Sequence, residues 1–139
     1  MIDRQDILND LIRDEGIILK PYKDTVGKLT IGIGRNLDDV GITKAEAEYL
    51  CENDIVRSMA DLDRNVPWWR KMGDNGQRAL VNMCFNLGWP RLSGFSNMLA
   101  ALRAGDYAKA ADEALDSRWA KQVGPRAQRI ADLLRIGGY

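Results

Sequence analysis

The sequence predicts an α+β protein that is mostly α, with one small β element near its start. Two observations carry this. Apolar residues recur at helical spacing in a series of capped stretches, and residues 20–35 alone switch to a period of two. Neither an internal repeat nor a low-complexity linker divides the 139 residues, which suits one domain or two small lobes on one chain.

Each element has a local reason. Asp3 can cap a first helix whose apolar face is Ile7, Leu8, Leu11 and Ile12, and Gly16 after Glu15 is its stop. Leu29, Ile31 and Ile33 then alternate with Thr30, Gly32 and Gly34, and the turn before them is Asp24-Thr25-Val26-Gly27. The apolar face of this hairpin is expected to bury. The Thr/Gly face is expected to stand bare, so that a bulky ligand can approach the backbone. Residues 36–41 read as loop. Thr43 and Glu46 have capping-box spacing and start a long helix running to about Asn65, which Pro67 bars from continuing. Ala47, Leu50, Cys51, Ile55, Met59 and Leu62 share one side of it, and such a helix can join two lobes. Gly73-Asp74-Asn75 caps an apolar helix holding Ala79, Leu80, Met83, Cys84 and Leu87. Further helices are expected from Ser96 to Leu102, from Gly105-Asp106 to Ala114, and from Gly124-Pro125 to Leu134.

Composition excludes several function classes. Hydrophobic content of 45% with 29% charged residues is that of a folded globular chain, not a disordered one. Lys+Arg and Asp+Glu are both 20, so no global charge draws the chain to nucleic acid or anionic membranes. The charge is uneven, with net −5 over residues 1–66 and net +5 over residues 67–139. Arg118, Lys121, Arg126, Arg129 and Arg135 read first as a solvated helix face and second as contact with an anionic polymer. Without histidine there is no His metal site and no His general base, and two cysteines make zinc improbable. Cys51 and Cys84 both lie in apolar-periodic segments and read as buried free thiols. The N-terminal residues hold no long apolar run, which argues against a Sec signal and a membrane anchor.

Three residues carry candidate chemistry: Glu15, Asp24 and Thr30. Glu15 meets Gly16-Ile17-Ile18-Leu19, an apolar setting that favours a protonated, proton-donating carboxyl. Asp24, on a polar turn, is expected to stay ionised, and Thr30 can hold a water. Two carboxyl groups on different elements are what cleavage of a glycosidic bond requires: one protonates the leaving oxygen, the other supports attack from the opposite side. That chemistry needs no metal or cofactor. The plainer alternatives are a local turn cap for Asp24 and a surface helix residue for Glu15.

Residues 14–35, DEGIILKPYKDTVGKLTIGIGR, resemble the catalytic segment of the T-even-type phage lysozymes, glycoside hydrolase family 24. The matching pattern is Glu15-Gly16, then Tyr22-Lys23-Asp24 with Gly27, then Thr30-Ile31-Gly32-Ile33-Gly34, without gaps. The likeness continues in order through residues 43–48, 82–88, 94–97, 117–119 and 126–129. It implies a lysozyme-like two-lobed fold: an N-lobe over about 1–42, an inter-lobe helix over about 43–65 and a helical C-lobe over about 66–139. It implies hydrolysis of the β-1,4 bond between N-acetylmuramic acid and N-acetylglucosamine in peptidoglycan, with inversion, and hence carboxyl groups roughly 6.5–9.5 Å apart. It implies Glu15 as general acid, Asp24 as second carboxylate and Thr30 beside the attacking water. Phe85 matches a cleft-lining aromatic, Arg118 an arginine near the substrate's peptide side, and Arg126 an arginine facing the catalytic Glu. Asn36, Met98 and Glu113 occupy substrate-contact positions but differ in type. The family context is an endolysin, a monomer made in the bacterial cytoplasm that reaches the periplasmic wall with a holin-type helper and without stable insertion in the membrane.

One departure from the family yields an expectation of its own. The residue after the Gly-x-Gly pair is often His in the family and pairs with an Asp on the long helix; here they are Arg35 and Asp54, so an Arg35–Asp54 ion pair is expected. Trp68, Trp69, Trp89 and Trp119 read as packing residues rather than sugar platforms. Three other readings share parts of the pattern: a lytic transglycosylase, a wall-binding module that no longer cuts, and a muramidase delivered as an antibacterial toxin. The first needs only one Glu, and the second has no reason to keep Glu15, Asp24 and Thr30 together.

Overall fold

The computed structural model describes all residues, 1–139. They form two compact units, Met1–Tyr49 and Leu50–Tyr139.

The first unit opens with α1, Arg4–Glu15. The Asp3 carboxylate caps it by accepting from the Gln5 and Asp6 amides at 2.8 and 3.4 Å. Gly16, at φ 76°, ends it and donates its N–H to the Ile12 carbonyl at 2.8 Å. Three antiparallel strands follow: β1, Ile18–Lys23; β2, Leu29–Gly32; and β3, Arg35–Asn36. Thr30 on the central strand stands opposite Tyr22 on one side and Asn36 on the other.

Two expectations about this sheet are corrected. The apparent strand through Ile33 stops at Gly32, because Gly32 and Gly34 take φ of 73° and 70° and the chain turns back at Ile33-Gly34 to make β3. Burial also departs from expectation at the start of β2. Thr30, expected to stand bare, is 3% exposed, while Leu29, expected to bury, is 36% exposed. The central strand encloses Thr30 between its neighbours, and the 36–41 loop covers the Leu29 backbone without covering its side chain. That loop takes the Leu29 N–H onto Asp38 at 2.7 Å and gives the Leu37 N–H to the Leu29 carbonyl at 2.7 Å.

α2, Lys44–Asn65, starts in the first unit and ends in the second. Its capping box forms as expected: the Thr43 N–H reaches Glu46 at 2.9 Å and the Glu46 N–H reaches the Thr43 hydroxyl at 3.1 Å. The two members of the expected Arg35–Asp54 pair each have another partner within their own unit. Arg35 makes a two-pronged contact with Glu46 at 2.8 and 2.7 Å, and Asp54 pairs with Arg57 one turn along its own helix. A guanidinium needs an acceptor within reach of a short strand, and Glu46 is already held beside it by the cap. The Glu46 carboxyl is held at about 2, below its ordinary 4.5, mainly by the Arg35 hydrogen bond and next by the Thr43 amide.

The second unit is helical. After α2 a 3₁₀ segment, Pro67–Lys71, leads to α3, Asp74–Leu87; α4, Trp89–Leu92; α5, Ser96–Arg103; α6, Tyr107–Leu115; α7, Arg118–Val123; and α8, Pro125–Arg135. α4 and α7 were not anticipated. Both are short, and their signals are local: Pro90 in the first turn of α4, and the Ser117 hydroxyl accepting from the Ala120 amide at 3.1 Å at the start of α7. Leu62, Trp69, Leu80, Met83, Leu92, Met98, Leu102, Ile130 and Leu134 are the large fully buried side chains. α6 and α8 approach closely because Ala110, Ala111, Ala114, Ala127 and Ala131 face inward. All four tryptophans pack on this core; the Trp69 indole also donates to Asp63 at 2.8 Å and the Trp119 indole to Asn86 at 2.8 Å. The chain's last residues lie over the start of α3, where the Gly73 N–H donates to the Gly137 carbonyl at 2.8 Å. A Cβ at Gly73 would stand 2.1 Å from Tyr139 backbone, so that position has no room for a side chain. Cys84 is buried, and burial pushes its thiol up; Cys51 is exposed, which corrects the expectation of two buried thiols.

Two predictions follow from this packing. Leu80→Ala removes a fully buried side chain and is expected to cost about 2–5 kcal/mol, read by urea unfolding. Glu46→Gln keeps the cap geometry but removes the charge. A depressed folded-state pKa gives stability that is complete above pH 4.5 and lost as pH falls through about 2. The difference in Tm between wild type and E46Q should therefore be constant above pH 4.5 and close toward zero by pH 2, measured by circular dichroism.

Candidate active site

Glu15, Asp24 and Thr30 all belong to the first unit. Glu15 is the last residue of α1. Its side chain is exposed, and Ile17, Ile18 and Leu19 are exposed too, so the apolar setting expected from those three residues does not form around it. The carboxyl instead lies against the backbone of the β2–β3 turn: the ideal Cβ position on Gly34 is only 3.0 Å from Glu15 Oε2.

Asp24 sits on the β1–β2 turn and does act as its cap. Its Oδ1 accepts the Val26 and Lys28 amides at 3.0 and 2.8 Å, and its own N–H donates to the Lys28 carbonyl at 2.9 Å. The local and the chemical readings are therefore compatible. Both amides go to Oδ1, which fixes the carboxylate and leaves Oδ2 for other partners.

Thr30 follows on β2. Its hydroxyl donates to the Lys28 carbonyl at 2.9 Å. With the proton committed there, the hydroxyl oxygen can only accept from a further partner, which is the polarity needed to orient a water through one of its hydrogens. One backbone residue, Lys28, thus ties both groups: its N–H holds Asp24 and its carbonyl holds Thr30.

Asn36 is drawn into its loop, donating to Asp39 at 3.0 Å and accepting the Asp39 amide at 2.8 Å. The other residues singled out lie in the second unit. Phe85, on α3, is 43% exposed. Arg126, in the first turn of α8, donates to Asn82 through Nε at 3.0 Å and Nη2 at 2.7 Å. Phe85, Asn82 and Arg126 line a mainly apolar groove of about 700 Å³. Arg118, the first residue of α7, lines another groove of about 700 Å³ with Arg91, Glu113 and Asp116. Met98 is 1% exposed and belongs to the core at the floor of that groove.

Two participants escaped the sequence reading. Glu46 was recognised as a cap but not as the partner of Arg35, although a cap carboxylate keeps an oxygen for a cation. Gly34 was read as open space for a ligand, whereas the Glu15 carboxyl lies against it.

The chain is similar to several known proteins. The chain is 33% identical over 155 aligned residues to the pre-baseplate central spike protein of Enterobacteria phage T4, an alignment covering 91% of this chain and 27% of that protein. The chain thus spans about a quarter of the length of that relative. It is 29% identical to a probable T4-type lysozyme of Dictyostelium discoideum, with 94% of each chain covered. It is 34% identical to the SAR-endolysin of Escherichia phage Mu, over 82% of this chain and 66% of the relative. The phage lysozyme family model matches residues 13–135, and by that match, which takes in Glu15, Asp24 and Thr30, the chain belongs to the phage lysozyme family.

Proposed function

We propose that this protein is a muramidase that hydrolyses the β-1,4 bond between N-acetylmuramic acid and N-acetylglucosamine in bacterial peptidoglycan. The observation that carries the reading is the shared anchoring of Asp24 and Thr30 on Lys28, whose N–H holds the carboxylate and whose carbonyl takes the Thr30 proton.

In this mechanism Glu15 gives its proton to the glycosidic oxygen as the bond to the anomeric carbon breaks. The Asp24 carboxylate stabilises the oxocarbenium-like transition state and takes a proton from the water that attacks the opposite face. The Thr30 oxygen accepts a hydrogen bond from that water and aims its lone pair. Water then enters directly and the anomeric configuration inverts, which requires the two carboxyl groups to stand far enough apart to admit it. In the second unit, Phe85 offers an apolar face to a sugar. Arg118, among charges of both signs, suits the amines and carboxylates of a stem peptide.

The biological context proposed is an endolysin acting on the wall with a holin-type partner, and the likeness to a phage endolysin supports the wall-acting part. The likeness to a segment of a phage spike protein supports a second context, in which such a domain is one part of a longer virion protein.

Clearing of purified peptidoglycan tests the chemistry. Glu15→Gln and Asp24→Asn are each expected to lose at least about 100-fold in rate with Tm unchanged. Products should carry new reducing ends, initially of inverted configuration by NMR; anhydro sugars would identify a transglycosylase, and wall binding without clearing a non-catalytic module. For the endolysin context, expression inside a bacterium should leave cells intact until the membrane is opened with chloroform, and lysis should follow at once.

A further inference from the structure

The two glycines of the turn after Thr30 share one backbone conformation and differ in what surrounds them. Gly32 and Gly34 have φ of 73° and 70°. A side chain at Gly32 would meet nothing within 4 Å. A Cβ at Gly34 would stand 3.0 Å from Glu15 Oε2, 3.2 Å from its Cδ and 3.3 Å from its Cγ. Those distances are shorter than ordinary carbon contacts, so a Cβ there would press on the whole end of the Glu15 side chain.

The same carboxyl has little else to hold it. Asp24 and Glu46 are fixed by backbone amides, but Glu15 accepts no hydrogen bond within its unit. It stands at the end of a helix, followed by a glycine, with a long side chain free to take several rotamers. What limits those rotamers is the surface it rests on, and that surface is the bare Cα of Gly34.

We infer that Gly34 is a positioning residue for the proton donor. Its missing side chain makes the seat in which the Glu15 carboxyl lies, whereas Gly32 answers only to the backbone turn. This rests on the proposed role of Glu15 as general acid. A Cβ at Gly34 would push the Glu15 carboxyl by a few tenths of an ångström, and misplacing a proton donor costs rate rather than binding, since the proton is transferred only in the transition state.

The test compares Gly34→Ala with Gly32→Ala in the full chain. Both place a Cβ at positive φ, so both should lower Tm by similar amounts. Only G34A should move the ¹³C resonance of the Glu15 carboxyl carbon at neutral pH; G32A should leave it at the wild-type position. G34A should lower kcat on peptidoglycan at least tenfold with KM within about twofold. Should the alanine variants fail to fold, Gly34→Asn and Gly32→Asn repeat the comparison with a residue that tolerates positive φ. An unmoved Glu15 resonance in the Gly34 variant, an equal shift in both variants, or wild-type kcat for the Gly34 variant would overturn the inference. If wild type itself does not clear peptidoglycan, the muramidase reading fails while the resonance comparison still decides whether Gly34 seats Glu15.

Discussion

The first unit depends on one contact between a short strand and the start of a helix. Arg35 leaves β3 and grips Glu46 with both arms of its guanidinium, while the same carboxylate accepts the Thr43 amide. β3 is only two residues long and would have little hold as an isolated strand. With Arg35 anchored on a capped helix, β3 can close the β2–β3 turn, and that turn carries Gly34, against which Glu15 lies. Both partners are partly open to water, so the contact acts by its paired geometry and not by buried charge.

The second unit is held differently. Its core is continuous, from Leu62 and Trp69 through Leu80 and Met83 to Ile130 and Leu134. Alanines on α6 and α8 let those helices come close, and large side chains fill the remaining space. Polar groups that enter this core bring partners with them, as Trp69 does with Asp63 and Trp119 with Asn86. Asp63 also takes Arg70 in a two-pronged contact and is held at about 2 by Arg70 first and Trp69 second. Surface charge and core packing thus meet at one carboxylate.

The candidate chemistry draws on both kinds of restraint. Asp24 and Thr30 are set by hydrogen bonds that the β1–β2 turn makes for its own stability. A turn cap and a chemical group can therefore be the same residue: the cap uses one carboxylate oxygen and leaves the other for the proposed chemistry. Glu15, the proposed proton donor, accepts no hydrogen bond within its unit and lies against Gly34.

Much of this was written in local sequence. Asp3, the Thr43–Glu46 box, Pro67 and the Gly124-Pro125 step fixed helix starts and stops because each acts on backbone within a few residues. The apolar period of Ala79 to Leu87 named five residues that are all buried. The motif from Glu15 to Gly34 identified the family. Tertiary structure alone decided the rest. Period-two alternation gave Leu29 to the inside and Thr30 to the outside, yet two glycines at positive φ ended the strand early and the central position enclosed Thr30. Asp54 lies at the aligned position for Arg35, but it pairs with Arg57 one turn away on its own helix, and Arg35 pairs with Glu46. Spacing along a chain fixes periods and caps; which acceptor a cation reaches, and which face a neighbour covers, depends on distances that exist only after the chain has turned back on itself.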